Sequence, residues 1–322
     1  MTTAFAALRA PERALALFIA ALLALDVALG LRSAARVDLP AYGGMIVAGC
    51  CVVALGLVLR GRGWSRLGLS LPAFGLYVVY GAAIALACYL RLPAPGAPID
   101  PLLAAFDARI GFSWPRYVES FAAWPQLAKA LGVVYASSLV QLCGVMFLLN
   151  ADRARLDRFM FTGLISCTLT CAIWAAFPSA GPSSLHALPA GLSDQLGLIV
   201  DDRYGAAARE MIVNGPSVIS PWTDRGLVAF PSFHTVMALL AVWFLRGKGW
   251  IFAAALALNA AMLPAILLHG GHYLTDMIGG AATFMVSLAL AERTVSALER
   301  ASRSAGRSVG AARRQEPERP TR

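Results

Sequence analysis

The sequence predicts an all-α, polytopic integral membrane helical bundle of about eight transmembrane helices. Three observations lead there. Of 322 residues, 58% are hydrophobic and only 14% are charged, proportions outside those of ordinary soluble domains. The apolar residues gather into runs close to the roughly 20 residues that a bilayer crossing needs. The basic residues concentrate in short stretches between alternate runs, where orientation signals fall.

The first run, 14–31, follows Arg9 and Arg13. A signal peptide begins that way, but no small-residue cleavage site follows and many further runs do, so a retained helix is expected. Runs at 43–59 and 74–90 come next. Residues 91–129 open with the proline-rich RLPAPGAPID and then mix aromatics with isolated charges, as a helix lying at a membrane interface does. Two more runs, 130–149 and 159–177, precede the longest loop, 178–230. That loop carries Leu196, Leu198, Ile199, Met211, Ile212 and Trp222, too many apolar groups for a solvated linker, and its centre near 203–213 suits a short helix. The last runs are 231–245, 249–268 and 272–291, the first of them short and led by Pro231. From about 300 onward large apolar residues almost vanish, which predicts a disordered basic tail over 296–322.

Charge placement gives an orientation. Arg60, Arg62 and Arg66, then Arg153, Arg155 and Arg158, then Arg246 and Lys248, and eight arginines between 293 and 322 all fall on one side if the runs alternate. The positive-inside rule then places both termini in the cytoplasm of a cell (inner) membrane. The net charge of +9 is thereby an orientation signal with affinity for anionic headgroups. Nucleic acid is excluded as a partner, because no basic patch is interleaved with aromatics. The six cysteines (Cys50, Cys51, Cys88, Cys143, Cys167, Cys171) lie within apolar runs without a CxxC pair. They are expected to be buried small hydrophobes, with no disulfide and no thiolate metal site.

Most of the four histidines stand where apolar runs begin or end. AFPSFHTVMALL (229–240) and LLHGGHYLTDMIGG (267–280) both open toward the periplasmic side under this orientation. His272 and Asp276, four apart, share one face of a helix, about 6 Å apart along its axis. A carboxylate there accepts the ring Nδ1–H and leaves Nε2 with its lone pair outward, which suits a nucleophile or a base. Ionisable groups within a span are costly and mark function. In the other stretch, Pro231 suits a first helical turn, with Ser232 and His234 in that turn. A helix N-terminus is a ready phosphate site, and a histidine there can protonate a departing oxygen.

PSFHT and GGHYLTD resemble the second and third signature motifs of the type 2 phosphatidic acid phosphatase superfamily. The closest pattern is the branch related to inositol phosphorylceramide synthases, an inositolphosphotransferase-like group. The resemblance covers roughly 75–295 in helix order, and it divides the chain into N-terminal membrane spans (1–73), a catalytic membrane domain (74–295) and the tail (296–322). It implies a cofactor-free enzyme in which His272 attacks phosphorus, Asp276 orients it and His234 protonates the leaving alkoxide. The implied substrate is a lipid phosphate, phospholipid or sphingolipid, and the reaction a hydrolysis or a headgroup transfer.

The sequence departs from that pattern. Phosphatase members carry an arginine six residues before the nucleophile, where this chain has Ile266. Arg225 is the first candidate to replace it and Arg203 the second, with Ser232 a hydrogen-bonding partner for phosphate. His269, His272 and Asp276, with His234 as a fourth ligand, also fit a metal site, which keeps a metal-dependent membrane hydrolase open. A non-enzymatic lipid carrier is the other alternative, although broken spans and internal repeats are not evident. His186 has no partner in sequence and reads as a surface residue.

Overall fold

A computed structural model describes residues 2–222 and 226–314. In chain order the elements are α1 (Thr2–Ala7), α2 (Ala10–Gly30), β1 (Arg36–Val37), α3 (Leu39–Gly61) and α4 (Leu67–Leu90). After these come α5 (Asp100–Arg109), α6 (Trp114–Ser120), α7 (Pro125–Ala136), α8 (Ser138–Leu148) and α9 (Arg153–Ala176). A 3₁₀ turn (Pro182–Ser184), α10 (Leu192–Leu196), α11 (Asp202–Asn214) and β2 (Val218–Ile219) make up the long loop. Then come α12 (Phe233–Leu245), α13 (Trp250–His269) and α14 (Leu274–Arg314).

The chain is therefore an all-α multi-pass membrane protein. Among the described residues six helices are long and apolar enough to cross a bilayer: α2, α3, α4, α9, α13 and α14. The run read as one span at 130–149 is instead two helices, α7 and α8, that meet at a 46° bend and qualify only as a pair. The bend follows from Ser137, whose Oγ donates to the Val134 carbonyl at 2.6 Å and so competes with the helical ladder. The sixth run, α12, has thirteen residues, about 20 Å of helix against a hydrocarbon core of about 30 Å.

Close packing starts from glycine. A Cβ on Gly49 of α3 would lie 2.9 Å from the Gly75 carbonyl of α4, and one on Gly75 would lie 2.5 Å from the Gly49 carbonyl. The two backbones touch there, as small residues allow in membrane bundles. At one end, buried charges neutralise each other. Glu12 accepts from Arg9 (2.8 Å) and Arg60 (2.6 and 2.9 Å), while Arg9 also grips Asp157 with two bonds of 2.7 Å. This network joins α2, α3 and α9 where unpaired charges are costly.

Three sequence expectations need correction here. The tail is helical rather than disordered up to Arg314; residues 315–322 lie outside the described ones. Cys50 and Cys51 are exposed on α3 rather than buried, and all six cysteines are free. The segment after residue 99 does not merely lie on the bundle: Trp114 donates to the Leu267 carbonyl (2.9 Å) and Tyr117 to the Pro264 carbonyl (3.0 Å), fastening α6 across α13. The short helix expected near 203–213 is α11, which buries Ala208 and Ile212.

Candidate active site

Two helix starts cross at the site. Ser232 caps α12, its Oγ accepting from the Thr235 N–H at 3.4 Å, and its own N–H donates to the Asp276 carbonyl at 2.9 Å. A Cβ on Gly280 would strike the Ser232 carbonyl, and one on Gly279 would lie 2.7 Å from the Phe230 ring. Glycines at 279 and 280 thus let α14 cross the start of α12 at backbone contact.

α14 begins at Leu274, so His272 stands just before the helix and Asp276 in its first turn. The pairing expected from sequence is present with a different local geometry. Asp276 Oδ2 accepts the Tyr273 N–H at 2.9 Å, reaching back as an N3 carboxylate does in a capping box, and meets His272 Nδ1 at 3.1 Å. Both groups are buried. A second carboxylate, from α5, completes the cap: Asp107 accepts from the Leu274 and Thr275 N–H groups (2.8 and 2.9 Å) and the Thr275 hydroxyl (2.6 Å).

His234 lies in the first turn of α12. Its ring and that of His272 have centroids 5.9 Å apart with planes at 63°. That separation admits one phosphoryl group between a nitrogen on each ring. On its other side His234 stacks on Tyr135, centroids 4.3 Å apart, with the phenol oxygen 3.4 Å from Nδ1. Tyr135 is the penultimate residue of α7, so the bend after it delivers this contact.

The two histidines border a cavity of about 610 Å³ whose wall is largely apolar: Ile84, Cys88, Leu139, Cys171, Ile199 and Leu227. This is the size and character of a site for a ligand with a substantial apolar part. Gly271, at φ +54°, turns the chain into His272; a Cβ there would lie 2.6 Å from Val200. The opposite rim is held by Asp100, which accepts from the Ala180 and Gly181 N–H groups at 2.8–3.2 Å. Burial pushes the Asp100 carboxyl up, against the pull of those two amides.

The remaining candidates are placed as follows. Arg203 is exposed, 3.9 Å from Asp194 and 4.0 Å from Asp201, and does not line the cavity, although its neighbour Tyr204 does. Arg225 lies outside the described residues; Gly226, next in the chain, lines the cavity and its carbonyl accepts from the Tyr204 hydroxyl at 3.1 Å. Among the described residues no lysine or arginine lines the cavity. His269 is turned away, its Nε2 2.7 Å from the Ala128 carbonyl and its ring packed on Gly132. Among the described residues no group of three or more His, Cys, Asp or Glu is placed to hold a metal ion. His186 is partly buried and lines a small pocket beside Asp107 and Tyr273.

A family model described as PAP2 superfamily matches residues 101–290, more than half of the chain. The chain belongs to the PAP2 superfamily. No curated protein and no solved structure matches it. PAP2 superfamily members are phosphatases and phosphotransferases, so membership supports an enzyme of that type. The matched segment contains both histidine motifs, Asp107 and Tyr135, whereas the cavity wall formed by Ile84, Cys88 and Tyr89 precedes it. Sequence reasoning missed Tyr135, Asp107 and Asp100 in this PAP2 protein. Asp107 stood in a stretch read as interfacial, Asp100 closed the proline-rich opening before it, and Tyr135 contacts His234 across 99 residues of chain.

Proposed function

We propose that the protein is a membrane-embedded lipid phosphatase or phosphotransferase working through a phosphohistidine. The supporting observation is the opposition of His234 and His272 across 5.9 Å, with His272 Nδ1 on Asp276, at the edge of a 610 Å³ apolar cavity. His272 Nε2 attacks phosphorus, forming the N–P bond as the ester P–O bond breaks. His234 gives its Nε2 proton to the departing oxygen, and Asp276 holds the His272 ring and balances its charge. Water or an alcohol then attacks phosphorus and returns a proton to His234. Transfer of an inositol-phosphate type headgroup to a lipid alcohol is the reading that the motif pattern favours. Ser232 and Arg225 are the proposed phosphate partners, with Arg203 the reserve for Arg225.

The test is phosphate release from phosphatidic acid in detergent micelles, with purified protein in EDTA. Release is expected to survive chelation; loss with EDTA, restored by one metal per chain, overturns the reading in favour of a metal-dependent hydrolase. Arg225→Lys is expected to lose at least tenfold in rate, because guanidinium offers paired donors that ammonium lacks. Full activity in that variant moves the clamp to Arg203, where the same substitution is then decisive.

The site is proposed to face the outer leaflet, with the termini cytoplasmic. Single cysteines at the exposed positions Ala187 and Ser302, in a cysteine-free background, test this. A membrane-impermeant thiol reagent on intact cells should label 187 and spare 302; the reverse pattern inverts the orientation.

A further inference from the structure

Two glycines inside spans are not explained by helix contact. Gly75 of α4 is needed where α3 touches it, but a Cβ on Gly81, further along the same helix, would meet no described atom within 4 Å. On α9, a Cβ on Gly163 would lie 3.7 Å from Leu240 Cδ1, an ordinary contact. Glycine inside a helix is unfavourable beside alanine. What these two positions supply is room.

Both border a smaller cavity of about 60 Å³, which meets the histidine cavity at Ile84, Cys167 and Phe233, residues that line both. Tyr77, Gly81, Ile84 and Cys88 follow one another at helical spacing on one face of α4. Met160, Gly163, Cys167 and Cys171 do the same on α9. From Cys88 to Tyr77, and from Cys171 to Met160, each row descends about 16 Å. Tyr80 Oη donates to the Leu164 carbonyl at 3.0 Å and holds the two rows in register. The histidines stand at helix ends, and the trough leads from them toward the middle of α4 and α9.

We infer that this trough holds one hydrocarbon chain of the lipid whose phosphate lies between the histidines, and that Gly81 and Gly163 set the length of chain accepted. The identity of that lipid rests on the proposed function. At about a tenth of the volume of the histidine cavity, the trough has room for one chain and not two. Its apolar wall does not hold water. Lipid tails are as apolar as the trough, so a chain gains little by leaving the bilayer for it. Selection therefore acts by exclusion: a chain that reaches past the floor is refused, and a shorter one is taken.

Gly81→Leu places an isobutyl group on the trough face of α4 while favouring the helix. Octyl and hexadecyl monophosphate, in the same detergent micelles, are the probes. Wild type should release phosphate from both; release from octyl monophosphate alone overturns the inference. Gly81→Leu, and Gly163→Leu independently, should lower kcat/KM for the hexadecyl ester at least tenfold more than for the octyl ester. Equal losses on both, or no loss on either, overturn it. A wild type inactive on both counts against the proposed function and leaves the trough to a binding measurement that needs no turnover. Hexadecyl phosphate with a diazirine at its chain end, photolysed on wild-type protein, should crosslink within 77–84 and 160–167. An excess of unlabelled hexadecyl phosphate should prevent this. Labelling confined to outward side chains such as Val47 and Val140, both exposed, overturns the inference even if neither variant folds.

Discussion

His272→Ala is expected to lower turnover by at least about a thousandfold, the scale on which loss of a covalent nucleophile is felt. Among the described residues the other imidazole lining the cavity is His234, whose Nδ1 faces Tyr135 and to which the proposed function gives the leaving-group side. A brief reaction with ³²P-labelled lipid phosphate, quenched in base, should trap label on the wild-type chain as an acid-labile, base-stable adduct. The variant should trap none. Undiminished labelling of His272→Ala would remove His272 as the nucleophile and send the search for one elsewhere on the cavity wall.

Asp276→Asn should cost roughly a hundredfold, and the geometry says why the loss is electrostatic. Oδ2 accepts the Tyr273 N–H and lies 3.1 Å from His272 Nδ1, whereas Oδ1 has no partner among the described residues. An asparagine can keep both bonds with its amide oxygen and place its NH₂ where Oδ1 stands. His272 then retains its tautomer but loses the negative charge that stabilises it while it carries phosphorus. Removing one such preorganised charge or donor costs about 10²–10³ in rate. Asp276→Ala, which also releases the ring, should fall further. The check is kcat for both variants beside the His272 tautomer by ¹⁵N resonance. A rate within threefold of wild type for Asp276→Asn would show that orientation alone is the role of this carboxylate.

How legible all this was in the sequence depends on range. Long apolar runs marked the spans because burial in lipid demands them, and the two histidine motifs could be read because each is local. His272 and Asp276 are four residues apart, and Ser232 caps the turn that holds His234. The bend between α7 and α8 was less visible, although paired serines at 137 and 138 interrupt the apolar run there. The tail misled through composition. Lack of large apolar residues reads as disorder, yet alanine and arginine are good helix formers, and extending an existing helix needs no new nucleus. Tyr135, Asp107 and Asp100 reach their partners across 99, 167 and 80 residues. No local pattern encodes contacts of that span.

The two-residue parallel ladder between Arg36–Val37 and Val218–Ile219 is small, but it changes what counts as the enzyme's working unit. Beside it, Asp38 accepts from the Ser220 hydroxyl at 2.8 Å, so the connection between α2 and α3 is laced to the stretch leading into Gly226 and Leu227 on the cavity wall. A fragment cut at residue 101, where the family match begins, would keep every histidine and Asp276. It would lose the strand that braces the loop and the α4 wall with Ile84, Cys88 and Tyr89. Such a fragment retains the chemical groups without the vessel that shapes their ligand. Changes confined to the first hundred residues can therefore reshape the cavity without altering a histidine or Asp276.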